Sequence, residues 1–473
     1  MKKTITLLLL LPLPALAAPD CSIPEDHVLL GQTSWYGVYF DSRKIGHGST
    51  GYERTTMEGV PVITYDFTFQ AQVEKTENGM IEQLVFEAEP PHRLLGGFHV
   101  SDDFEVTYWF DGDDVQIEQG GAVRTWQDVD YDLCDTEDLV MFQLLQRDPE
   151  IGSRVESKVF DVNAQMVTTS THEVSDVGQR TIMGARHSIH TVTSTYAAQD
   201  QAMKASTTHQ NGLAMNFFMG SFELRRETEA IALEPGESID LFAEFLKPLD
   251  RPLTELETIE SLTLKASIGP SAVTIDEVLS DRFMQRVEIL DARSALVTIA
   301  DAEAPEGEQP PASYLRSTGI YPADHPRIGA LLGEALQPLG GDQDQRRIAE
   351  ALVGFVKGFI RTVPQSPFDY HTDSVFDILD NRTGDCTEHS LLYVTLARAA
   401  GIPAREVHGF VYAVENDRPS LAGHQWVEVF LDGRWAGMDP TWEETELNKS
   451  HVQVPLAWSV PSLSFDIVDI RHR

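Results

Sequence analysis

Three side chains near the C-terminal end of the chain could together do chemistry: Cys386, His424 and Asp439. A thiol is a nucleophile once its proton is gone, an imidazole can take that proton, and a carboxylate can hold the imidazole in one tautomer. Cys386 opens the stretch CTEHSLLYVTLARAAG. Thr383-Gly384-Asp385 can start a helix there, and Leu391, Leu392, Leu396 and Ala399 make an apolar stripe along it. Gly401 then suits a left-handed helix end, and Pro403 forbids continuation. This places Cys386 in the first turn, where unpaired N–H groups and the helix dipole favour a thiolate. The plainer alternative is a structural core cysteine. Its polar neighbours Asp385, Thr387 and Glu388 weigh against that.

His424, Trp426, Glu428 and Phe430 alternate with Val427, Val429 and Leu431, the pattern of a half-buried strand. Asp432-Gly433 is a two-residue hairpin signal, and Arg434 to Asp439 is the return strand. Such a turn sets Leu431 against Arg434, Phe430 against Trp435 and Trp426 against Asp439. Asp439 is then diagonal to His424, about 7–8 Å between backbones, a gap two side chains can close. Glu428 shares the face but sits roughly 13 Å along the strand from His424. Asp439, not Glu428, is therefore the expected orienter.

These segments resemble a known family. GDCTEHSLLYVTLARAAGIPAREVHGFVY followed by HQWVEVFLDGRWAGMDPTW is similar to the bacterial branch of the transglutaminase-like superfamily, which includes cysteine proteases with a papain-like core. The likeness runs from about Ser313 to the end. It implies Cys386 as nucleophile, His424 as base and Asp439 as orienter, the assignment already reached from the residues. Gln425 departs from the Ala common between the family's His and Trp, and strand parity sends it to the opposite face.

Other candidates carry less. His389 lies one turn along the cysteine's own helix, where a side chain rarely reaches back to the helix start. A single Cys-x-x-His also lacks the second ligand pair that zinc needs. His389 reads as a wall or core residue and His408 as structural. His451, in KSHVQV, matches a histidine common in that bacterial branch, with no role assigned to it. Trp426 should shield the His–Asp pair or line the cleft. Tyr370 is a weak oxyanion donor candidate beside the backbone N–H of Cys386.

The chain opens MKKTITLLLLLPLPALAA, two lysines, a short apolar run and a small-residue cleavage site. This reads as a signal peptide over residues 1–18 and a periplasmic or secreted product, with no membrane insertion after cleavage. Of three cysteines, Cys21 and Cys134 are candidates for a disulfide, leaving Cys386 as the free thiol. A net charge of −38 is unsuited to binding nucleic acid or an anionic membrane surface.

The expected architecture is multidomain. β-rich antiparallel regions over 19–150 and 151–301 precede a Pro/Glu-rich linker at 302–313 and an α+β transglutaminase-like domain with a papain-like core at 314–473. The two β-rich stretches read equally as halves of one sheet or as two domains. Trp35, Tyr36 and Tyr39 are core residues by their spacing rather than a binding surface. The function expected is a thiol peptidase or amidase working on a protein or peptide substrate through an acyl-enzyme. The alternatives are amine transfer by a protein-glutamine transglutaminase, or a non-catalytic envelope binding protein on the same scaffold. No cofactor is expected, and calcium dependence is left open.

Overall fold

The computed structural model describes residues 30–473 apart from short stretches, the longest being 130–143, 240–245, 302–309, 364–373 and 455–461. The expected signal segment (residues 1–18), Cys21, Cys134, Tyr370 and most of residues 302–313 lie outside the described residues.

Fourteen antiparallel strands between Thr33 and Glu227 form one sheet. Consecutive strands pair, except the eighth with the ninth, and the first (Thr33–Phe40) also pairs with the last (Phe222–Glu227). The two edges are thus mid-sequence strands, Ala122–Trp126 and Arg154–Asp161. The first hairpin turns through Asp41 and Ser42, both at positive φ, as a turn matched to strand twist requires. Val38, Phe40 and Ile45 are buried around it. Tyr36 is buried, and the Tyr39 hydroxyl donates to Glu227 at 2.5 Å, tying the first strand to the last.

A division at residue 150 therefore falls inside one sheet. Alternating strands joined by short turns look the same whether the meander closes on itself or stops, so nothing local marks the pairing of residues 33–40 with 222–227. The segment 259–300 also departs from the expected grouping. Its strands Ile259–Ser267, Gln285–Asp291 and Ser294–Ala300 form a separate four-stranded sheet completed by Ser464–His472 from the far end of the chain. Leu262, Leu264, Val297 and Ile299 share one apolar core with Phe410, Trp426 and Val452. This sheet belongs with the C-terminal unit.

In that unit, helices Pro326–Leu336, Gln345–Phe359, Val375–Asn381 and Cys386–Ala399 pack on a sheet containing Ala404–Glu415, Arg418–Leu431, Arg434–Met438, Val452–Gln453 and Lys247–Pro248. The helix Gln345–Phe359 buries Ile348, Leu352, Val353 and Val356 against Leu391, Leu392 and Leu396 of the cysteine helix and Val427, Val429 and Leu431 of the strand behind it. Each such aliphatic side chain contributes about 1.5–3 kcal/mol by leaving water. The cysteine helix is buried from Glu388 to Arg398 and so is held on every side. Arg398 fastens its far end, donating from Nε and Nη2 to the Ala404 carbonyl at 3.1 and 3.0 Å. Among the described residues no helix is long and apolar enough to cross a membrane.

Candidate active site

The cysteine helix starts as its residues require. Asp385 is the N-cap, accepting from the Thr387 N–H at 2.8 Å, and the Glu388 carboxylate accepts from the Asp385 N–H at 2.7 Å. This reciprocal pair fixes the first turn. Gly384 leaves room for Glu388, since a Cβ there would collide with its side chain. Gly401 closes the helix at φ +78. Cys386 is the first helical residue, half-buried, and a free thiol.

The hairpin has the register its turn dictates. Leu431 pairs with Arg434, Phe430 with Trp435 and Val427 with Met438. Asp439 lies one residue beyond the last pair, where it bridges to Glu444. It is fully buried, and its Oδ2 is 2.7 Å from His424 Nε2, while Oδ1 accepts the Thr441 N–H at 2.8 Å. The Asp439 bond occupies Nε2 and leaves Nδ1 of His424 to take a proton. Glu428 takes no part in this. It is bound by Arg405 at 2.8 Å, and that guanidinium also lies over the Trp435 ring.

The sulfur of Cys386 meets the same strand, accepting a hydrogen bond from the backbone N–H of Gln425, the residue after His424. Its thiol departs from the expected thiolate. Burial pushes the thiol proton affinity up, the nearby charge of Asp385 adds to this, and so do Asp439 and Glu388. The Gln425 N–H works the other way and loses. The helix dipole is outweighed first by burial and then by the carboxylates that line the helix start. Cys386 thus rests as a thiol, and its proton has to be taken rather than shed.

Asp439 shows the opposite balance. Burial alone would raise it, but the hydrogen bonds and charges of His424 and His451 hold the carboxyl well below the usual carboxylate range. Burial raises Glu388 to about 8, with the charge of Asp385 adding to it.

The imidazole of His424 lies between two indoles. Trp442 is stacked on it at 4.4 Å with planes 8° apart, and Trp426 lies on the same histidine at 6.3 Å. Trp426 is buried, as a shield must be; Trp442 is 44% exposed and forms the open wall of the site. Gln425 lies on the opposite face, its side chain beside the Glu406 carboxylate. His389 is buried in its own helix, Nδ1 lying 2.5 Å from the Asp385 carbonyl.

Trp442 was not singled out from sequence, and His451 was named there without a role. Trp442 stands three residues past Asp439 in DPTW, and only the fold shows that it covers His424. His451 brings Nε2 to 3.5 Å from Asp439 Oδ2 and Nδ1 to 3.2 Å from the Asn448 carbonyl. His424, Asp439 and His451 offer three ligand atoms within 4.8 Å of one another. With Nε2 of His424 only 2.7 Å from Oδ2, that pair is closer than two ligands of one tetrahedral ion at about 2.0–2.2 Å would sit. The cluster is arranged to share protons rather than a metal.

A thiol at a half-buried helix start, hydrogen-bonded to the strand whose histidine is held by a buried carboxylate, brings thiol-based acyl chemistry within reach. The family description is narrower: the transglutaminase-like superfamily model matches residues 334–440, so the C-terminal third of this chain carries a transglutaminase-like domain. Among solved structures, a protein from Cytophaga hutchinsonii described as a putative cysteine protease is 14% identical, covering 46% of this chain and 86% of that one, with a TM-score of 0.25. A β-barrel-like protein from Brucella abortus, of a domain of unknown function, is 11% identical over 41% of this chain and 94% of that one, with a TM-score of 0.30. A structure described as a TGase is 14% identical over 33% of this chain and 44% of that one, at 0.19. No curated protein matches the sequence.

Proposed function

We propose that this chain is an exported thiol hydrolase, periplasmic or secreted, that cleaves amide bonds in a protein or peptide. The cysteine helix packed on a sheet that carries histidine and aspartate would be a papain-like core. The observation that carries the reading is the ordered contact of the Asp439 carboxylate with Nε2 of His424, on the strand whose next N–H holds the Cys386 sulfur.

Nδ1 of His424 takes the thiol proton as the sulfur of Cys386 adds to the amide carbonyl carbon. The carbonyl π-electrons move to oxygen, which faces the Cys386 backbone N–H, a first-turn donor with no acceptor inside its helix. The imidazolium gives its proton to the leaving nitrogen, the C–N bond breaks, and an acyl-enzyme and a free amine remain. Water then adds to the thioester carbonyl, surrendering a proton to His424, which returns it to the departing sulfur. Asp439 stays ionised throughout and holds the ring in place. Because the resting thiol is protonated, the base is essential to each turnover.

The direct test is incubation of the full chain and of Cys386→Ala with fluorogenic peptides and a thiol-directed probe. The wild type should cleave and label, and the variant should do neither. Cleavage by Cys386→Ala would end this reading. Mass spectrometry of the products separates addition of water from addition of an amine.

A further inference from the structure

His451 has no part in the steps above, yet it shares an oxygen with His424. It follows a turn in which Asn448 Oδ1 accepts from the Ser450 N–H and hydroxyl, and it precedes the strand Val452–Gln453, paired with Gly409 and Phe410. Both neighbours fix it, and it is 5% exposed. One nitrogen faces the Asn448 carbonyl, and the other faces Oδ2 of Asp439. A carbonyl oxygen and an ionised carboxylate can only accept. In a buried setting a bare ring nitrogen against either would set lone pair against lone pair.

We propose that His451 carries hydrogens on both nitrogens and serves as a fixed cationic positioning residue, offsetting the charge of Asp439 beneath His424. The other groups that face it fit a cation. Asp439 is in contact, the Glu444 carboxylate acts on it through space, and the rings of Trp426 and Trp442 lie 5.2 and 6.1 Å away. His424 is a basic neighbour, 6.2 Å between rings, and it must be neutral to accept a proton. With Asp439 alone, the full carboxylate charge would bear on the ring that has to take the thiol proton. A second imidazolium on the same oxygen offsets part of that charge. The catalytic meaning of this arrangement rests on the triad proposed above; the charge of His451 does not.

Two measurements on the full chain test it. Nitrogen-detected NMR of histidine-labelled protein reads the state of His451 directly, with the resonance assigned by its loss in His451→Gln. Should that variant not fold, contacts to the Trp426 ring assign it instead. Both nitrogens should be protonated at pH 7, and a singly protonated ring overturns the proposal. The second is the pH dependence of Cys386 alkylation by iodoacetamide, which needs a thiol but no substrate. In His451→Gln the rise of rate with pH should move upward by about one pH unit, since a unit charge a few ångströms away has been removed. A rate lowered equally at every pH, with the rise in place, would mean a merely structural His451 and overturn it. A cationic His451 in a protein that cleaves no amide would sink the hydrolase reading and leave this one standing.

Discussion

His424 and Asp439 are separated by fourteen intervening residues and a hairpin turn, yet Nε2 and Oδ2 stand 2.7 Å apart with the carboxylate wholly out of water. A buried acceptor in that position both orients the ring and decides which nitrogen is left for chemistry.

Asp439→Asn keeps the shape and removes the charge. The amide can offer the wrong hydrogen to Nε2 and favour the wrong tautomer. Cleavage should fall by about 10²–10⁴-fold with little change in melting temperature. Loss of less than tenfold would show that Asp439 orients nothing that matters.

Trp442 covers one face of His424 while nearly half its surface meets solvent. Trp442→Ala should cost the fold only about 1 kcal/mol, the value of one stacked pair. Peptide cleavage should nevertheless drop about tenfold as the ring loses its wall. Calorimetry and kinetics on the same sample separate the two effects.

Burial lifts Glu388 to about 8, with Asp385 adding to it, so the folded protein binds a proton there that the unfolded chain gives up near its ordinary carboxyl range. The folded state therefore holds more protons between roughly pH 4.5 and 8, and stability contributed by this group falls as pH rises through that window. Glu388→Gln retains a capping acceptor and cannot ionise. Thermal melts from pH 5 to 8 should decline less steeply in the variant than in the wild type.

Glu428 is 1% exposed and relies on Arg405, whose Nη2 lies 2.6 Å from Oε2. Arg405→Ala leaves that carboxylate buried without its cation and should cost about 3 kcal/mol by denaturant titration. Arg405→Ala together with Glu428→Leu should recover much of it. If the double variant is no more stable than the single one, the cost lies in the lost packing on Trp435 instead.

Gly409 pairs directly with His424, and a Cβ there would run into the Val452 carbonyl and the Trp426 ring. Gly409→Ala should destabilise by about 1–3 kcal/mol through overpacking. It should also slow cleavage, because the displaced indole underlies the histidine. An unaltered unfolding midpoint would refute the close approach.

What the amino-acid order determined by itself was local. The capping residues Asp385 and Glu388, the stop at Gly401 and Pro403, and the Asp432-Gly433 turn each act on a few neighbours, so the helix start of Cys386 and the parity that sets Asp439 beside His424 could be read directly. The same locality explains why the acidic pair Glu428 and Asp439 could be told apart before any coordinates. Tertiary structure alone decided what surrounds those residues. The strands of 259–300 join 464–472, and the first strand of the large sheet joins the fourteenth, through backbone bonds that leave no trace in either segment. Trp442 and His451 reach the site only because the chain past Asp439 folds back along Gly409. The thiol of Cys386 was expected to ionise easily from its place at a helix start, but desolvation by packing, with the charges of Asp385 and Glu388 beside it and of Asp439 brought to it by the fold, outweighs a dipole that acts over one turn. Charge and water are properties of the assembled neighbourhood, and no window along the chain contains them.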